Sequence, residues 1–198
     1  LIRESLRKIL QYQEVKKFLK IYKGNEYAPY LFMKNLYSSE ALTANNKQAL
    51  NRLVRAIALS VDQFSLILVC CNSGTLQEQV ARQLQAVSAV EIQSLVLHPS
   101  VKTLLTTLLT TVKKQPPQAL MVFGLESVVA IDQMLVSTNL VRNELSQHFS
   151  FPLILWINDE ILQKLIRTAP DFKNWATSTI RFEVATNSQL AERKAIIA

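Results

Sequence analysis

The segment Cys71-Asn72-Ser73-Gly74-Thr75-Leu76 closes a short apolar run and gathers an amide, two hydroxyls and a glycine into one turn. Groups of that kind beyond a strand are what phosphate binding uses. Glycines let backbone N–H groups curl round the anion, a lysine reaches the terminal phosphates, and a hydroxyl holds magnesium. The full pattern is G-x-x-x-x-G-K-[ST]. Here Gly74 stands alone, and no lysine occurs between Lys47 and Lys102. Asn72, Ser73, Gly74 and Thr75 are therefore candidates only for weak anion contact at a helix N-terminus. A plain strand-to-helix turn is the expectation. The segment is not a nucleophile elbow, because Cys71 and Thr75 flank Ser73 where glycines are needed. It is not a thiol phosphatase loop, because Gln77 and Leu76 stand where an arginine must follow Cys71 and Cys70. The adjacent cysteines are poorly placed for a mutual disulfide and read as small core residues.

Two further loops carry candidates. In Leu120-Met121-Val122-Phe123-Gly124-Leu125-Glu126, apolar residues lead to an acid. That pattern belongs to strands supplying a magnesium-holding carboxylate and a water-activating one. Gly124 stands near the place of the expected Asp. Glu126 is either the surviving acid or a carboxylate favouring the start of the next turn. In Trp156-Ile157-Asn158-Asp159-Glu160, Asn158 lies where a polar side chain senses a terminal phosphate. Equally, Asn158 or Asp159 caps the next helix, which is the expectation. His98 and His148 have no ligand partners at metal spacing. No motif supports a Ser/His/Asp triad. No catalytic residue, metal or cofactor is expected.

These loops need elements to hold them. Residues 64–71 form a near-continuous apolar run, the pattern of a strand buried on both faces. Further strands are predicted at 90–97, 119–123, 151–157 and 179–184. Helices are predicted at 76–87, 99–114, 130–149 and 159–168, with Pro170 stopping the last, and a helical tail follows from Asn187. Upstream, Thr43 or Asn45 caps a helix running to Ser60. Strands alternating with helices predict a parallel sheet covered on both faces. In such sheets ligands bind at the carboxyl ends of the strands, where the candidate loops lie.

The 198 residues, 49% hydrophobic and 19% charged, support a substantial core and exclude global disorder. No apolar run reaches the roughly 18 residues needed to span a bilayer. With no secreted disulfide pattern, the cytoplasm is the expected compartment. The opening Leu1 suggests a piece of a longer protein. Charge is unevenly spread: residues 1–60 hold eleven Lys or Arg against four acids, and residues 61–198 hold eleven of each sign. The expected organisation is thus a basic, mainly helical segment over 1–60 and an α/β domain over 61–198. Lys16, Lys17 and Lys20 lie on a predicted helix, near Tyr12, Tyr22, Tyr27, Tyr30, Phe32 and Tyr37. Cations interleaved with aromatics are what a single-stranded nucleic-acid binder uses. The alternative is a solvated basic face with its aromatics buried.

One stretch is more specific. Asn139-Leu140-Val141-Arg142 precedes Phe151-Pro152-Leu153-Ile154-Leu155-Trp156, and Arg167-Thr168-Ala169-Pro170-Asp171-Phe172 with Trp175 follows. This resembles the bacterial STAND-type branch of the AAA ATPases, P-loop NTPase-like regulators often linked to tetratricopeptide repeats. The resemblance covers about residues 62–184. It implies a three-layer αβα fold with a five-stranded parallel sheet ordered 5-1-4-3-2. It also implies that Arg142 and Arg167 sit near a nucleotide or a neighbouring subunit. With the phosphate loop unrecognisable, the expected function is a non-catalytic regulatory or scaffolding module acting through protein–protein interaction or oligomerisation. Nucleic-acid binding through residues 1–60 and a weak residual ATPase are the alternatives.

Overall fold

A computed structural model describes residues 42–112, 116–176 and 178–184. The basic segment carrying Lys16, Lys17 and Lys20, and the tail from Asn187, lie outside the described residues. The sheet consists of β1 (Ser65–Cys71), β2 (Ile92–Val96), β3 (Ala119–Phe123), β4 (Pro152–Ile157) and β5 (Thr179–Phe182). All pairings are parallel and the order is β2-β3-β4-β1-β5, the order 5-1-4-3-2 read from the other edge. The helices are α1 (Ala44–Leu59), α2 (Gly74–Val87), α3 (Leu104–Val112), α4 (Ile131–Leu140), α5 (Arg142–His148), α6 (Asp159–Thr168) and α7 (Pro170–Asn174).

The layering follows from topology. The step from β1 to β2 crosses the sheet in the opposite direction to every later step, so right-handed crossovers put α2 on one face and the later helices on the other. The buried side chains agree. Leu66, Leu68 and Cys70 share a cluster with Leu153, Leu155 and Ile157, and with residues of α3 through α7 such as Leu108, Met134, Leu145, Leu165 and Phe172. The alternating residues Ile67, Val69, Met121 and Trp156 are buried on the opposite face. There α1 and α2 pack on each other and bury Leu50, Leu53, Ile57, Val80 and Leu84. Trp156 is fully buried, stacked between Phe123 at 5.6 Å and Phe182 at 5.9 Å. Trp175 is partly buried and meets Phe64 edge-on at 5.8 Å. No helix among the described residues is long and apolar enough to cross a membrane.

Two expectations change. Composition places a boundary near residue 60, but the compact unit holding the sheet begins at Thr43. Helix α1 therefore belongs with the sheet, capped by Thr43 and lying against β5. The long helix expected over 130–149 is broken at Val141. The carbonyl of Asn139 accepts the Arg142 guanidinium at 2.7 Å, where a continuing helix would offer it to the N–H four residues on. Ser137 and Thr138 hydroxyls also donate back to the Met134 carbonyl, which favours a bend there.

Candidate functional site

Strand order brings the carboxyl ends of β4, β1 and β5 side by side, with Cys70 opposite Ile157 on one neighbour and Arg181 on the other. Partners in register point to the same face, so Cys70 and Arg181 lie together. The first residues beyond β1 and β4 add Asn72 and Asp159. These four residues form one network centred on a carboxylate. Asp159 Oδ1 accepts from the Arg181 guanidinium at 2.7 Å and from the Cys70 thiol at 3.4 Å. Asp159 Oδ2 accepts from the Asn72 amide at 2.6 Å. The side-chain oxygen Asn72 Oδ1 in turn accepts from the backbone N–H of Asp159 at 2.9 Å.

The electrostatics follow from these bonds. The Asn72 amide, the Arg181 guanidinium and the Cys70 thiol hold the Asp159 carboxyl down to about 2. Arg181 is raised by the same pairing. Burial, then the hydrogen bond to Asp159, pushes the Cys70 thiol up to about 11. Burial also raises Cys71, whose thiol donates to the Ser73 carbonyl at 3.3 Å. Asp159 is thus a permanent anion at neutral pH, unsuited to proton transfer there. Cys70 and Cys71 are protonated thiols, not nucleophilic thiolates. The arrangement binds three strand ends to one another.

The phosphate-loop candidates take local roles. Ser73 caps α2, its hydroxyl accepting from the Leu76 N–H at 3.4 Å. Gly74 and Thr75 are already inside that helix and exposed. A Cβ added at Gly74 would meet nothing within 4 Å, so no close backbone approach depends on this glycine. Asn158 caps α6, accepting from the Ile161 N–H at 2.8 Å. Glu126 is exposed in the 3-10 turn Leu125–Ser127 and makes no capping hydrogen bond. The bonds that build the network do not include Glu126. Gly124 has a positive φ of 82°, and a Cβ there would lie 3.2 Å from the Leu97 carbonyl oxygen. A side chain here is disfavoured by that left-handed backbone and by the close approach to Leu97.

The arginines of the resemblance are elsewhere. Crossover helices run back along the sheet, so the ends of α4 and α6 lie toward the amino ends of the strands. Arg167, in the last turn of α6, is exposed there. Arg142 lies 3.6 Å from the Asp171 carboxylate while donating to the Asn139 carbonyl. The Asn139 side chain accepts from the Phe172 N–H at 2.9 Å and donates to Asp171 at 3.5 Å. Asn-x-x-Arg and Pro-Asp-Phe therefore meet as a clamp between the α4–α5 break and α7. Among the described residues, no hydrogen bond or ion pair joins either arginine to the loop after β1.

Cys70 and Arg181 are the members of the network that sequence reasoning missed, while Asp159 was read only as a cap. The available signal was an arginine alternating with apolar residues in Thr179-Ile180-Arg181-Phe182, which puts its charge on the face of a strand. His98 and His148 serve local turns, bonding Ser100 and the Glu144 carbonyl. A polar cleft of about 180 Å³ flanks the network, lined by Thr43, Asn45, Asn46, Arg181 and Glu183. No protein-family model matches this chain, and no curated protein matches it.

Proposed function

We propose that this chain is a non-catalytic, NTPase-like regulatory or scaffolding module that works through a protein partner or self-association. The observation carrying the proposal is the occupied state of the carboxyl end of β1. Asn72 is bonded twice to Asp159, Ser73 caps α2, and Arg181, the cation beside the loop, already holds an anion of the chain's own. A phosphate entering here would displace a carboxylate and meet its charge. The test is calorimetric titration of the full chain with Mg–ATP and Mg–GTP. No saturable heat is expected. Binding in the micromolar range that Asn72→Ala abolishes would overturn the proposal.

A second observation gives the partner's chemistry. Helix α1 exposes Lys47, Arg52 and Arg55 and contains no acid. An acidic protein surface suits this face, and so does a nucleic acid. Binding that neutralises phosphates releases counterions, so a nucleic-acid complex weakens steeply with salt. Titration of a labelled single strand at low and high salt separates the readings. Tight, salt-sensitive binding lost when Lys16, Lys17 and Lys20 become Ala favours the nucleic acid. Absence of binding favours the acidic protein.

A further inference from the structure

Among the described residues, strand β5 is an edge strand paired only with β1, from Leu68 opposite Thr179 to Cys71 opposite Phe182. Helix α1 lies against β5 more than against any other element. Between them is a specific fastening. Asn46, buried on α1, donates to the Glu183 carbonyl at 2.8 Å and accepts from the Glu183 N–H at 3.1 Å. One side-chain amide thus satisfies both backbone groups of the residue just beyond β5, across most of the chain. Breaking it leaves the buried Asn46 amide without its partners, which is costly. Beyond the backbone ladder with β1 and the stacking of Phe182 on Trp156, the side-chain polar tie from β5 to the rest of the sheet is of another kind. Arg181 reaches Asp159 at 2.7 Å, but the two side chains are 46% and 44% exposed. Water screens such a pair, and it holds weakly.

We infer that α1 and β5 form one edge unit, fastened by Asn46 to Glu183, which opens from β1 as a body while the β2-β3-β4-β1 sheet stays formed. Opening withdraws Arg181 from Asp159, slides Phe182 off Trp156 and uncovers the β1 edge from Leu68 to Cys71. The chain leading into α1 and the chain leaving β5 both attach to this unit. An event on either side therefore acts on the same edge. Local openings below the global unfolding free energy are where switching elements are found.

Native-state hydrogen exchange on the full chain at low denaturant tests this. Amides of α1 between Ala49 and Ile57 and those of β5 are expected to share one opening step, faster than the step shared by β3 and β4. Arg181→Ala is expected to accelerate α1 and β5 by a common factor, roughly 1.5- to 5-fold for a screened pair, with β3 and β4 unchanged. Asn46→Ala is expected to split the unit, so that β5 exchanges faster than α1. Exchange of all these elements in a single step overturns the inference, as does acceleration of β5 without α1 in Arg181→Ala. Should Asn46→Ala not fold, the unmodified chain and Arg181→Ala decide the matter.

Discussion

The two ends of the sheet each carry a polar cluster, and the clusters differ in what they hold. At the carboxyl ends, Asp159 joins Asn72, Cys70 and Arg181, so the residues beyond β1 and β4 are tied to β5. At the amino ends, Asn139 and Arg142 join Asp171 and the backbone of Phe172, so a helix break is tied to α7. The first cluster sits where α/β proteins bind ligands, and its donors are spent on a carboxylate of the same chain. The second contains the residues that carry the resemblance to a nucleotide-binding branch, and every bond described there is a packing bond. In this chain Asn139, Arg142 and Asp171 therefore serve the architecture they fasten.

The largest expected effect lies between the two ends. Trp156 is fully enclosed by Phe123 and Phe182, so Trp156→Ala is expected to cost roughly 3 to 5 kcal/mol. Chemical denaturation measures it, and an unchanged midpoint would remove β4 from the centre of the sheet. At the amino end, Asn139→Ala leaves the Phe172 N–H without its acceptor, and a loss of about 1 to 3 kcal/mol is expected.

At the carboxyl end the cost is smaller and depends on pH. The Asp159 carboxyl is lowered from its ordinary 3.8 to about 2. A depressed acid stabilises the fold above its unfolded value, and that stabilisation is lost as pH falls through the folded value. The advantage of the unmodified chain over Asp159→Asn should thus be full at neutral pH and close between about pH 4 and pH 2. Because the pair is half exposed, the advantage is at most about 1 kcal/mol. A larger loss from Asp159→Asn than from Asn139→Ala would reverse the comparison. Smallest of all, Gly74→Ala should shift stability by no more than about 0.5 kcal/mol, since its Cβ enters open space at a helix start. A loss of several kcal/mol would mean that the turn needs its glycine after all.

Much of the fold was legible because apolar periodicity is local. Residues 119–123 and 159–168 coincide with β3 and α6, and the strand order agrees with the resemblance. What stayed hidden depends on contacts distant in sequence. The break at Val141 rests on Arg142 turning back to Asn139 and on α7 holding both. The boundary moved from 60 to 43 because charge counting cannot see Asn46 bonded to Glu183. At the site, caps were readable from residue type, as Ser73 and Asn158 show. Asp159 looked like another cap because its partners lie on different strands, and Arg181 and Cys70 become neighbours only through the β1–β5 register.

On the proposed function, the carboxyl end of this sheet is closed to nucleotide chemistry. Phosphate release from Mg–ATP and Mg–GTP, measured with the full chain beside its Glu126→Gln variant, tests it most directly. No release above the protein-free rate is expected from either. Turnover by the unmodified chain that disappears in Glu126→Gln would contradict it.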